Sequence, residues 1–124
     1  MARIGIDVVA SRSRGNAQKF LNDKLARFTD DKRPRMFGEE ALWRYKHGAA
    51  LAALGRPEAD AELKKALAAE GRKWVHARSH LELGKLALKA GNKAGGNAEL
   101  RASIPLADSD NDPLTSEEAR RLLK

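Results

Sequence analysis

Cysteine is absent from the 124 residues, so the chain has no disulfide framework, no thiolate metal site and no thiol nucleophile. Aromatic side chains make up only 5%, which leaves few rings for stacking nucleic-acid bases. Long apolar runs are missing too. The longest mainly apolar stretch, residues 48–55, falls far short of the roughly 20 residues a helix needs to cross a bilayer. The apolar start of the chain is interrupted by Asp7 and is too short and too polar for a secretory signal. These absences lead to the expectation of a soluble, cytoplasmic protein without a membrane partner. No Gly-rich phosphate cradle, HExxH pair or Ser-His-Asp arrangement can be assembled with any specificity. The chain is therefore expected not to be an enzyme and to carry no cofactor.

Charge, by contrast, is plentiful. Charged residues make up 33% and hydrophobic ones 42%, a balance that suits one compact, well-solvated helical domain spanning residues 1–124. The net charge of +7 is uneven. Residues 1–36 hold 9 basic and 4 acidic side chains, residues 37–72 hold 6 of each, residues 73–105 hold 6 and 2, and residues 106–124 hold 3 and 5. A basic excess attracts acidic partners and, less selectively, nucleic acid. A basic helical nucleic-acid-binding protein is accordingly the alternative to the main reading developed below.

Apolar residues recur at helical spacing along most of the chain. The spacing predicts helices over residues 3–14, 16–28, 39–54, 57–69, 73–90 and 92–104. Gly15, Gly55 and Gly91 are placed to stop three of them, and Pro105 is expected to stop the last. Gly95 and Gly96 each cost about 1 kcal/mol of helix propensity near its start. Thr115 with Glu118 reads as a capping box that starts a short final helix over residues 115–123. No alternating strand pattern occurs. The expected fold is all-α, built from stacked antiparallel helical hairpins with a C-terminal capping helix.

Two stretches, residues 41–67 and 77–104, align as copies of one unit. Gly48 falls over Gly84 and Gly55 over Gly91, both 36 residues on. After the second glycine the register slips by one, so that Leu63 matches Leu100, Ala66 matches Ser103 and Leu67 matches Ile104. A period in this range marks supersecondary units that cannot bury their apolar faces alone.

Leu83-Gly84, Gly91, Gly96, Leu100 and Ser103-Ile104 resemble the tetratricopeptide repeat pattern. His47-Gly48, Gly55, Ala59, Leu63 and Ala66-Leu67 follow it with one residue deleted. Gly15, Phe20 and Leu25 suggest a degenerate first copy. The resemblance implies repeats over about residues 3–29, 39–69 and 73–104, an α-solenoid, and a protein–protein interaction scaffold that holds a peptide or helix of a partner in a concave groove. Transferred position by position, it points to Leu42, Tyr45, Ala49 and Ala52 in the middle copy, and to Arg78, Leu81, Lys85 and Leu88, with Lys89 alongside, in the last. Arg12 is the corresponding basic residue of the degenerate copy. Cations beside leucine surface suit an acidic or acidic-hydrophobic peptide. The weakly patterned N-terminal copy also suggests a homodimer through the first two helices.

Two other clusters carry a weaker chemical signal. His76 and His80 lie four residues apart, a spacing that can bring two imidazoles to one zinc, but no third ligand stands nearby. Asp108, Asp110 and Asp112 alternate like the opening of a calcium loop, yet Pro113 and Ala119 occupy positions that require glycine and glutamate. No metal is expected at either.

Overall fold

The computed structural model describes residues 36–123, and within them the protein is all-α. Five helices follow in order: α1 (Glu39–Ala53), α2 (Ala59–Ala68), α3 (Lys73–Lys89), α4 (Lys93–Ser109) and α5 (Pro113–Leu122). No described helix is long and apolar enough to cross a membrane. The expected helices over residues 3–14 and 16–28, the degenerate copy with Arg12 and the proposed N-terminal dimer surface lie outside the described residues.

Local chemistry sets most of the boundaries. Three helices stop in the same way, on a residue with left-handed backbone: Gly55 after α1 (φ 71°), Gly91 after α3 (φ 86°) and Asn111 after α4 (φ 57°). In each case two overlapping bonds close the last turn. Arg56 N–H reaches Leu51 O at 2.9 Å, Asn92 N–H reaches Ala87 O at 2.8 Å, and Asp112 N–H reaches Ala107 O at 2.9 Å. The left-handed conformation costs glycine nothing and asparagine little. Helix α4 starts from Asn92, whose side chain accepts a bond from Gly95 N–H at 2.9 Å, which offsets part of the weakness of the paired glycines.

The C-terminal third departs from the sequence expectation at two points. Helix α4 runs through Pro105 and on to Ser109. Pro105 is exposed, as is Arg101, whose carbonyl loses its helical partner. Water can serve that carbonyl, and the added turn buries Ala107 completely. Helix α5 begins at Pro113, not at a Thr115–Glu118 capping box. Proline at a first helical position gives up no bond, and the Thr115 hydroxyl donates to Asp112 at 2.6 Å.

Helix α3 touches every other described helix; α1 also packs on α2 and α4 on α5, while α2 and α4 do not meet. Two apolar clusters result. Ala41, Tyr45, Ala49 and Ala50 of α1, with Leu54 just past its end, meet Leu63 and Ala66 of α2 and Val75 and Leu83 of α3. Leu81 of α3, Leu100 of α4 and Ala119 of α5 form the second. Burying a leucine as fully as Leu63 or Leu100 is worth about 1.5–3 kcal/mol.

The aligned glycines occupy matching contacts. A Cβ on Gly48 would stand 2.7 Å from Leu63 Cγ, and one on Gly84 would stand 2.9 Å from Leu100 Cδ2. Gly48 with Leu63 in one pair, and Gly84 with Leu100 in the next, use the same alignment partners. Their surroundings are alike.

Candidate functional site

The α3 positions that the sequence marks for a partner are met by the chain itself. Arg78, Lys85 and Lys89 sit seven and four residues apart, on one side of α3. Asp112 grips Arg78 with both carboxylate oxygens, at 3.0 Å to Nε and 3.3 Å to Nη2. The guanidinium also lies 4.7 Å from the Trp74 ring centroid, so it is both paired and stacked. Lys85 Nζ is 3.1 Å from Glu118 of α5 and 3.3 Å from Glu82 on its own helix. Asp110 accepts the backbone N–H of Trp74 at 2.9 Å, serving a donor in the first turn of α3 from another element. Asp108 pairs with Arg120 at 2.6 Å. The acidic C-terminal segment thus folds back on the basic helix, and the three aspartates that alternate in sequence go to three separate partners.

Apolar positions of the same face are covered to different degrees. Leu81 is 2% exposed in the cluster with Ala119. Leu88 packs beside that cluster and against Gly96 of α4, where a Cβ would stand 2.7 Å from its Cδ2. Lys89 is exposed. On α1, Leu42 is half-buried beside the first cluster, Ala49 is buried within it, and Ala52 is half-buried.

Tyr45 is fully buried. Its hydroxyl has no hydrogen bond of good geometry among the described residues. Burial, with the nearby Glu82 carboxylate, pushes the phenol far above its ordinary range, while the Arg78 guanidinium draws weakly the other way. Tyr45 brings a buried polar atom of α1 to the charged seam between α3 and α5.

A second polar constellation recurs across the two helix pairs, and the sequence reading missed it. Glu62 of α2 takes Arg44 Nη1 at 3.1 and 3.2 Å and His47 Nδ1 at 2.6 Å. Burial alone would raise its carboxyl, but the bonds from His47, Arg44 and Lys65 outweigh that and hold it below the usual range. In the next pair His80 Nδ1 meets Glu99 at 2.7 Å. Glu62 and Glu99 each precede the leucine that fills the glycine contact, and Arg44 and His80 lie 36 residues apart. The repeat alignment itself carried that signal. His76, four residues from His80, turns to Ala69 O at 2.9 Å, so the two imidazoles do not converge. Among the described residues no group of three metal-ligating side chains forms.

The charge balance also divides sharply. The described residues hold 14 basic and 13 acidic side chains, a net of +1, against 9 and 4 in residues 1–35. Taken together the described residues are close to neutral, and Arg44, Arg78, Lys85 and Arg120 among their cations meet carboxylates of the same chain. No protein-family model, no curated protein and no solved structure matches this chain.

Proposed function

We propose that this protein is a non-catalytic protein-interaction scaffold, a tetratricopeptide-like stack of helical hairpins whose odd-numbered helices offer one face to a peptide or helix of a partner. The observation that carries the reading is the recurrence of one packing unit: Gly48 against Leu63, then Gly84 against Leu100, with a left-handed glycine ending the first helix of each hairpin. The pattern of packing agrees with such a stack, since α1 meets α3 and α3 meets α5 while α2 and α4 stay apart. A row of repeated helices with shared neighbours offers extended surface and few convergent reactive groups, which favours binding over chemistry. The partner in this reading is an acidic-hydrophobic peptide or helix that meets α1 near Ala52 and α3 near Lys89.

Peptide-display selection against the full chain tests this. Acidic amphipathic peptides should be enriched, and Ala52→Glu with Lys89→Glu should weaken them by about tenfold or more. The nucleic-acid alternative draws its charge from residues 1–36 and 73–105, and an oligonucleotide titration run beside the selection decides between the two. No enriched peptide, together with oligonucleotide binding that falls steeply with salt and survives an acidic peptide competitor, would replace the scaffold reading.

A further inference from the structure

The α3 surface expected to receive an acidic-hydrophobic partner is already occupied by the last helix of the same chain, α5, which follows an acidic stretch holding Asp108, Asp110 and Asp112. We propose that α5 is a displaceable in-chain ligand, and that the α3–α4 surface beneath it is the docking site for an acidic amphipathic helix of a partner protein. The inference rests on the scaffold reading, and adds to it a second contact surface for the same kind of partner, between α3 and α4, and the device that guards it.

The surface has the two elements such a helix needs. Leu81 and Leu100 form its apolar centre, with Leu88 and Ile104 beside them. Arg78 and Lys85 stand along it, and each meets a carboxylate, Asp112 just before α5 at 3.0 Å and Glu118 within α5 at 3.1 Å. The segment charges match as well, since residues 73–105 carry 6 basic against 2 acidic side chains and residues 106–124 carry 3 against 5. An amphipathic helix in an apolar groove, oriented by charge at its edge, is a recurring recognition geometry.

The apolar hold of α5 on this surface is small, although Thr115 and Ser116 are buried beside it. Ala119 is its one fully buried apolar side chain, Leu122 is only half-buried, and Leu114 is 71% exposed. The helix has 10 residues, too few to be stable alone in water. Its advantage is the short connection from Ser109, which gives it an effective concentration in the millimolar range. A partner helix with carboxylates at the Asp112 and Glu118 positions and a larger apolar residue in place of Ala119 would overcome that advantage.

The test uses the full chain and a fluorescent peptide with the sequence of residues 106–123, blocked at both ends. The wild-type chain should bind it weakly, because its own α5 competes. Asp112→Asn and, separately, Ala119→Asp should each raise apparent affinity by about tenfold or more, as the competent open state becomes populated. Adding Arg78→Glu and Lys85→Glu to the Ala119→Asp chain should abolish that binding. Circular dichroism of each variant should show the loss of no more helix than α5 contains; the milder Asp112→Asn chain keeps the test alive if Ala119→Asp unfolds further. Equal affinity for wild type and variants, or binding that survives charge reversal, overturns the proposal. Variants that dimerise with concentration yet ignore the peptide also overturn it, in favour of exchange of α5 between copies. Failure of this one peptide leaves the display selection untouched, so the two readings fall separately.

Discussion

Single side chains in this protein are placed by what they must avoid as much as by what they touch. Gly84 is buried where α3 packs on α4, and a Cβ there would press on Leu100 and stand 3.2 Å from the Gly96 carbonyl. Alanine gains about 1 kcal/mol in helix propensity, but overpacking against backbone costs about 1–3 kcal/mol. Gly84→Ala is therefore expected to lower the urea midpoint, although the same change on a solvent-facing helix would raise it. Tyr45 presents the opposite case, a polar atom buried without a formed bond. Tyr45→Phe should be neutral or stabilising, by up to about 1 kcal/mol, because no partner is orphaned. The raised phenol pKa sets the sign of its pH dependence. The native state keeps the proton that the unfolded chain releases near pH 10, so stability falls as pH rises beyond about 10. Tyr45 is the only tyrosine, so tyrosinate absorbance should appear only together with loss of helix, and the phenylalanine variant should resist alkali better. The glycine contacts were legible in the sequence because repetition exposes them. The buried, unpaired character of Tyr45 was not, since it depends on charges arriving from α3 and from the start of α5.

Among the elements, α1 and α3 lie almost where apolar spacing puts them, because glycine stops and helical periodicity are local signals. The α2 start shifts from residue 57 to Ala59, within the usual fraying of helix ends. Helix α4 is the instructive exception. A proline was read as a terminator, yet its ring is exposed and the following turn is anchored by Ala107; tertiary packing outweighed a local penalty. Pro105→Ala should thus stabilise the protein by about 1–2 kcal/mol, less than the full helix-interior proline penalty of about 3, because the more flexible unfolded chain takes back part of the gain. Denaturant melts of the two proteins would measure it, and an unchanged or lower midpoint would mean that the proline fixes a bend the packing requires. The expected capping box failed for a related reason. Pro113, not a residue after Thr115, begins the helix, and the carboxylate of Asp112 before it is committed to Arg78, a residue 34 positions away that no local motif can foresee.

For the whole molecule, the cations picked out on α3 by spacing form a stripe, as expected, but most of that stripe is neutralised inside the chain. Charge counts along the sequence show a basic stretch over residues 73–105 and an acidic end; they could not show that one folds onto the other. The two apolar clusters have a consequence for how the molecule breathes. Among the described helices only α3 contributes to both, through Val75 and Leu83 on one side and Leu81 on the other. Opening the first cluster leaves α3 held by the second, and the reverse. Its backbone amides should therefore exchange with deuterium last, with α5 first and α2 between. If α5 amides outlast those of α3, the order of holding is wrong. A central strut shared by two half-cores lets either end of the molecule loosen while the other keeps its shape.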